Sequence, residues 1–515
     1  MAAVLERVRV SALTSGQRSG AALLAGVATV LGFAPFGLAW VPLLTVALLA
    51  ALWLAGTPRQ AGWVGWWFGV GLMGAGVSWM YISIDLFGGV TPPLAALATL
   101  LFVLVVALYY ALLGWLFGRL AVGVPRGYAL LLLLPGLWVG VEWLRGWLFT
   151  GFPWLSLGYS QIDTPLAGLA PVVGVLGVSW AVVTLAGALA WLPGVGWRRR
   201  LVAVGGLGVL LYLVAAGLAS HAWSESAGER LRVALVQGNI AQERKWEPGE
   251  QKRIIDHYLA LTLPLEGVQL VVWPETAIPL FADQVERGLL EPLEVWGRER
   301  GSELLLGVPL RSVEQGRYYN AMLHLDGERG AGERGYYAKR HLVPFGEFMP
   351  FKPLLGPLFS WLRIPLSDFS AGEAERPLME LAGYAVGVSI CYEDAFGREV
   401  RQALPEAALL INASNDAWFG DSLAPHQHLE IARMRALEGE RWLLRATNTG
   451  ISALIDPQGR VVAQLPLFVS DRLVGEVEPR QGATPYVRFG EGGVFLGWIL
   501  VLLGWCFFKV LGSRF

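Results

Sequence analysis

The stretch Gly387-Val388-Ser389-Ile390-Cys391-Tyr392-Glu393-Asp394 decides how this chain is read. It closes an apolar run, Tyr384–Ile390, with the length and composition of a buried strand. The strand ends on a cysteine, and polar groups follow at once. A thiol at a strand exit, beside carboxylates, is well placed to be a nucleophile. Tyr392 and Glu393 would be odd residues for a purely apolar core turn. The other reading is a small buried hydrophobe, the commonest state of a free cysteine. The stretch alone leaves both open.

Working outward, more short apolar runs with strand character surround it: 231–237, 268–273, 303–308, 407–411 and 451–455. Helix-like stretches lie between several of them, at 251–263, 284–300 and 425–441. This alternation predicts an α/β layer domain. Residues 344–369 form a long, proline-broken, aromatic loop, and long loops in compact domains are usually functional or disordered.

The rest of the chain is of another kind. Over 515 residues the composition is 54% hydrophobic, with a mean hydropathy of +0.49. That is too apolar for an ordinary soluble protein and fits several membrane spans. Residues 20–220 hold few charges, and 225–480 hold most of them. Apolar runs at about 20–35, 38–55, 62–84, 91–118, 127–147, 165–193, 201–219 and 494–511 predict about eight spans. The division is therefore 1–219 for a polytopic membrane domain of seven spans, 220–493 for a soluble domain and 494–515 for a final span. Arg7, Arg9, Arg18, Arg59, Arg119, Arg126, Arg198, Arg199, Arg200, Lys509 and Arg514 fall on one side of this arrangement. The positive-inside rule then places both termini in the cytoplasm and 220–493 outside. In a host with two membranes that compartment is the periplasm. A net charge of −1 gives no sign of nucleic-acid binding.

Within the membrane part, residues 79–89 and 151–164 are aromatic and polar, with Gly and Pro. They read either as an interfacial aromatic belt or as loops shaping a lipid path. Glu142 and Arg145, spaced i, i+3, read as a local ion pair. Only two cysteines are present, so a disulfide framework is excluded, and Cys506 reads as filler in an apolar helix.

Three apolar runs deliver chemistry at their ends: Trp273-Pro274-Glu275 a carboxylate, Tyr337-Ala338-Lys339-Arg340 an amine and Ile390-Cys391 the thiol. Brought together, a carboxylate can take the thiol proton while an ammonium stabilises an oxyanion. Spacing alone does not bring them together.

These pieces, with Lys339-Arg340-His341-Leu342-Val343-Pro344-Phe345-Gly346-Glu347 and Cys391-Tyr392-Glu393, resemble the Glu–Lys–Cys pattern of the nitrilase (carbon–nitrogen hydrolase) superfamily. Joined to a polytopic part and a final span, they resemble the apolipoprotein N-acyltransferase family. Val236-Gln237-Gly238-Asn239-Ile240, Lys245-Trp246, Gly151-Phe152-Pro153-Trp154-Leu155, Gly158-Tyr159-Ser160-Gln161 and Asn412-Ala413-Ser414-Asn415-Asp416-Ala417-Trp418-Phe419-Gly420 match in order. The resemblance implies a membrane α-helical bundle carrying a nitrilase-like α-β-β-α sandwich. It implies Glu275 as general base, Lys339 as oxyanion stabiliser and Cys391 as nucleophile. Glu347, Tyr392, Glu393, Trp246 and Asn415 would support them. It also implies a ping-pong reaction. Cys391 would take the sn-1 acyl chain of a phospholipid, phosphatidylethanolamine being the expected donor. It would pass that chain to the N-terminal amine of a diacylglyceryl-cysteine apolipoprotein. The setting would be a bacterial inner membrane.

A thioester survives only if water is kept out, which calls for an apolar lid. The expected lid combines Phe359, Trp361 and Leu362 with Trp418 and Phe419. No cofactor and no metal is expected, and a monomer is favoured. His426 and His428 lie two apart on a helix, on different faces, and read as capping or surface residues. A membrane-tethered amidase using the same three groups with water as second nucleophile is the alternative. A non-enzymatic transporter or scaffold is the third reading, and it would want charges buried mid-span.

Overall fold

The computed structural model describes residues 13–193, 196–247, 249–312, 316–327, 334–350, 352–353, 369–373 and 378–512. Phe359, Trp361 and Leu362 lie outside the described residues. By contact the chain divides into a helical unit (Met1–Tyr81, Pro92–Ala222, Phe489–Phe515) and an α/β unit (Ile82–Thr91, Trp223–Arg488).

In the helical unit, five helices among the described residues are long and apolar enough to cross a membrane. They are Pro92–Leu120, Arg126–Arg145, Pro165–Trp191, Trp197–Ala219 and Gly492–Val510. Pro58–Gly76 and Trp79–Phe87, bent by 58°, make a sixth if counted as one span. The first two expected spans fall short of the ~20 residues that a crossing needs: Ser15–Thr29 has 15 residues and Val41–Leu54 has 14. The cause is local. Ala34-Pro35 stops the first helix in a short 3-10 turn, because a proline disfavours helix in the residue before it. The count supported by length and composition is therefore five or six. Ser15–Thr29 packs on Pro58–Gly76 through Gly26 and Gly71. A Cβ at either would lie 2.1 Å from a carbonyl oxygen of the facing helix, so only glycine permits this approach.

Two readings of this unit change. Glu142 and Arg145 do not serve as a local pair; each holds the 151–164 segment. Glu142 Oε1 accepts from Leu157 N (2.9 Å) and Trp138 Nε1 (2.9 Å), and Arg145 donates to Trp154 O (2.5 Å) and Ser156 Oγ (3.4 Å). That segment is no interfacial belt either: Trp154, Leu155, Tyr159 and Gln161 are buried inside the helical unit.

Among the described residues, the α/β unit contains two six-stranded sheets and a short ribbon, β1 (Ser224–Ser226) with β14 (Arg480–Gly482). One sheet has the order β13-β2-β3-β4-β5-β6. Its strands are β2 (Leu231–Gln237), β3 (Leu270–Val272), β4 (Glu303–Ser312), β5 (Arg317–Leu325), β6 (Tyr336–Ala338) and β13 (Asp471–Val477). The other has the order β12-β11-β10-β9-β8-β7. It is built from β7 (Leu378–Leu381), β8 (Tyr384–Ile390), β9 (Leu409–Ser414), β10 (Leu443–Thr447), β11 (Ala453–Ile455) and β12 (Val461–Gln464). Pairs β2–β3, β3–β4, β8–β9 and β9–β10 are parallel.

Side-chain alternation explains the layering. Val233, Leu235, Val272 and Leu305 of one sheet share a core with Val388, Ile390, Ile411 and Leu444 of the other. Their neighbours in sequence point outward. Ala234, Val236, Val271 and Leu304 meet Ile254 and Tyr258 of the helix Glu250–Thr262, and Leu293 and Trp296 of Glu291–Arg300. Leu410, Leu443 and Ala453 meet Ala432 and Ala436 of the helix Ala424–Gly439. Helices, sheet, sheet, helices: this is the expected α-β-β-α sandwich.

Candidate active site

Glu275, Cys391 and Asn415 follow the carboxyl ends of parallel strands β3, β8 and β9, where ligand sites of such sheets gather. Cys391 turns the chain sharply out of β8. Its φ is +54°, unusual for a residue with a Cβ, and such conformations persist only where surroundings hold them. Glu393 does much of the holding. Its carboxylate accepts from Ile390 N (2.7 Å), Arg340 N (2.7 Å), His341 N (3.1 Å) and Tyr337 Oη (3.0 Å). Those last three donors flank Lys339, so one buried carboxylate ties the cysteine turn to the lysine. Burial raises the proton affinity of Glu393, and these backbone donors oppose that rise.

Lys339 leaves β6 with its amide bonded to Asn320 O (2.8 Å). Its Nζ donates to Glu347 Oε1 (2.9 Å) and Glu275 Oε1 (3.2 Å), and the side chain is 1% exposed. The turn carrying Glu275 lies directly on β4. A Cβ at Gly307 would sit 2.0 Å from Pro274 O, so the approach requires glycine. Asn320, on β5, went unnoticed in the sequence. Its Nδ2 donates to both Glu275 Oε1 (2.7 Å) and Glu347 Oε1 (3.0 Å). Glu347 Oε2 accepts from Val343 N (2.8 Å), which fixes the loop that brings Glu347 back.

The charges explain the resting state. Burial pushes the Cys391 thiol well above its usual range and Glu275 adds to this; Lys339 acts in the opposite sense. For Lys339, burial opposes the charge, yet Glu275 and Glu347 hold its pKa well above normal. The site therefore rests with a protonated thiol near an ammonium ion. Such a thiol needs a base at the moment of attack.

Behind the cysteine turn lies a second cluster. His428 Nδ1 meets Asp416 Oδ1 (3.0 Å) and Nε2 meets Asp394 Oδ1 (2.9 Å). Arg445 reaches Asp416 Oδ2 (3.0 Å), Asp394 Oδ2 (3.4 Å) and Asn412 Oδ1 (2.7 Å). Cys391 O accepts from Asn412 Nδ2 (3.1 Å) and contacts His428 Nε2 (3.3 Å). His428 is thus no surface or capping residue; it is 1% exposed. Burial opposes its charge, but the two aspartates raise its pKa to about 9. Asp416, against burial, is brought down to about 2 by His428 and Arg445. A signal existed in the sequence: an Asp directly after Glu393 and another directly after Asn415.

The remaining expected residues divide. Asn415 is buried, accepting from Asn448 Nδ2 (3.1 Å) and donating to Gln242 Oε1 (2.8 Å). Tyr392 packs edge-on against Phe396, with ring centroids 5.0 Å apart. Trp246 is half-exposed, Trp418 is exposed and Phe419 is partly buried. Among the described residues no cluster of His, Cys, Asp or Glu could hold a metal ion.

Comparison with known proteins adds to this geometry. Residues 25–188 match the model of the apolipoprotein N-acyltransferase N-terminal domain, and residues 232–486 match that of carbon–nitrogen hydrolases. An apolipoprotein N-acyltransferase of Methylococcus capsulatus is 46% identical, over 94% of this chain and 95% of that protein. One of Nitrosomonas europaea is 45% identical, over 94% and 96%. Among solved structures, a carbon–nitrogen hydrolase superfamily protein of Xanthomonas campestris is 22% identical. It covers 49% of this chain and 91% of its own, with a TM-score of 0.35. With both halves matched, and whole-length relatives at this identity, the chain belongs to the apolipoprotein N-acyltransferase family.

Proposed function

We propose that this protein moves the sn-1 acyl chain of a phospholipid, through a thioester on Cys391, to the N-terminal amine of a diacylglyceryl-cysteine apolipoprotein. The observation that carries this reading is similarity over nearly the whole length, helical half included. An amidase of small soluble substrates has no use for that half.

The geometry supplies a mechanism. Glu275 takes the Sγ proton as sulfur attacks the ester carbonyl. The oxyanion forms beside the Lys339 ammonium, whose charge the two carboxylates maintain. Glu275 then gives its proton to the departing lysophospholipid alkoxide, leaving the thioester. In the second half the acceptor amine attacks that carbonyl, Glu275 removes the amine proton, and the sulfur leaves and regains a proton. Each proton stays between Glu275, sulfur and substrate, so no net charge enters or leaves the buried site. Glu347 and Asn320 hold Lys339 and Glu275 in register. Glu393 and Tyr392 support the cysteine turn, Asn415 the neighbouring strand end. Trp246 supports the site near the substrate, and Trp418 and Phe419 are the described part of the apolar lid that keeps water from the thioester.

The donor on this reading is phosphatidylethanolamine. With the short helices Ser15–Thr29 and Val41–Leu54 counted beside the six above, the chain on this reading crosses an inner membrane eight times, divided as 1–219, 220–493 and 494–515, with both termini cytoplasmic and the α/β unit outside.

Intact-mass spectrometry after incubation with phosphatidylethanolamine tests the core of this. A hydroxylamine-labile acyl adduct is expected on the wild type and not on Cys391→Ala, and a diacylated lipopeptide should discharge it as an N-acyl product. No adduct on folded wild-type protein would remove the first half-reaction and favour the amidase.

A further inference from the structure

One buried ionisable group near the site has no part in this mechanism. Lys245 ends the four-residue helix Gln242–Lys245 and is 2% exposed, although it is a lysine on a short surface segment. Its Nζ donates to Thr276 Oγ1 (2.5 Å) and approaches Glu275 O (3.4 Å). The ammonium thus sits on the backbone of the residue that would act as base. That backbone is unusual: Thr276, β-branched, has φ +45°. From the same short helix Gln242 accepts from Asn415 Nδ2, beyond the end of β9 in the other sheet. The helix is therefore fastened at both ends of the site, to the Glu275 turn by Lys245 and to the Asn415 turn by Gln242. Trp246, the residue after Lys245, is half-exposed.

We propose that Lys245 is a positioning residue: its ammonium locks the strained Glu275-Thr276 turn and hangs Trp246 at the rim of the site. This deepens the acyl-transfer reading and rests on it for the substrate. A charge-assisted bond is roughly twice as strong as a neutral one, so the lock weakens when the lysine loses its proton. Burial lowers the pKa of Lys245 to about 8, with Glu275, the charged group facing it, acting the other way. The charge is present below that pH and lost as pH rises through it.

The test is single-turnover thioester formation on Cys391 with phosphatidylethanolamine in detergent micelles, over a range of pH. Lys245→Met keeps the unbranched stem without the charge. Near neutral pH it should form thioester about 100-fold more slowly, with the lipid concentration for half-maximal rate changed less than about twofold, since Lys245 touches no substrate. The wild type should lose rate above about pH 8. The Met variant, uniformly slow, should lack that fall. Thr276→Val, which removes the partner and keeps the shape, should lose about tenfold and serves if the Met variant does not fold. A Met or Val variant at wild-type rate, or a Met variant with the wild-type alkaline limb, would overturn the assignment. Alkylation of Cys391 by iodoacetamide needs no lipid and separates the two ideas. If the wild type takes no acyl group, the acyl-transfer reading fails. Alkylation then decides Lys245 alone: a Met variant slowed about tenfold supports it, one at wild-type rate ends it.

Discussion

Asn320 is the residue that the sequence hid most completely. It lies inside β5 with apolar neighbours, and nothing near it in the chain hints at catalysis. Yet one amide nitrogen donates to both carboxylates that flank Lys339. Hydrogen bonds to charged groups are each worth about 1.5–3 kcal/mol, so losing both should cost at least about 100-fold in rate. Asn320→Leu should therefore slow thioester formation by that order, and Asn320→Asp, which adds a third negative charge, should be slower still. Single-turnover rates decide it; a Leu variant within about threefold of wild type would mean that Lys339 alone holds the carboxylates. By contrast, Glu275, Lys339 and Cys391 were legible because each sits where an apolar run breaks into polar residues. The resemblance implied the roles expected of them, and the fold brought the three within electrostatic reach of one another.

At the scale of elements, the cluster of His428, Arg445, Asp394 and Asp416 joins the cysteine turn, the Asp416–Phe419 turn, the helix Ala424–Gly439 and β10. Two opposite pairs of charge neutralise one another in the interior, which is the condition for burying any of them. The pKa of His428 is raised from 6.5 to about 9. Its contribution to stability is whole below pH 6.5 and is lost as pH rises through about 9. Asp416 is depressed from 3.8 to about 2, so its contribution holds above 3.8 and disappears as pH falls through about 2. The His428 part corresponds to roughly 3 kcal/mol. Thermal melting of the wild type should thus decline between pH 6.5 and 9. His428→Gln should start lower and lack this component; parallel wild-type and Gln curves would show that the histidine is neutral in the fold. The elements were readable in part: the six expected strand runs match β2, β3, β4, β8, β9 and β11, whereas β5, β7, β10, β12 and β13 lie outside them. Strand runs and outer helices fall within a few residues of their expected places, because period-2 and period-3.6 patterns are local properties. The helices Ser15–Thr29 and Val41–Leu54 came out short because proline and glycine punctuate runs that hydropathy alone treats as continuous.

For the whole molecule, the proposed orientation makes a direct prediction. In a Cys391→Ala, Cys506→Ala background, Arg230→Cys should react with a membrane-impermeant maleimide in intact spheroplasts, and Arg199→Cys only after the membrane is opened. The reverse result would invert the topology. The sequence by itself determined the apolar half, the layered α/β half, the strand ends that carry Glu275 and Cys391, and the family pattern. These rest on composition, periodicity and motif spacing, which need no partner in space. Only the tertiary structure decided the rest. Glu142 and Arg145 each hold a buried loop, His428 lies behind Cys391, Asn320 bridges two carboxylates, and Lys245 clamps the Glu275 turn. Each of these is a buried polar group, and a buried polar group takes whatever partner packing brings within reach, however far away in the chain.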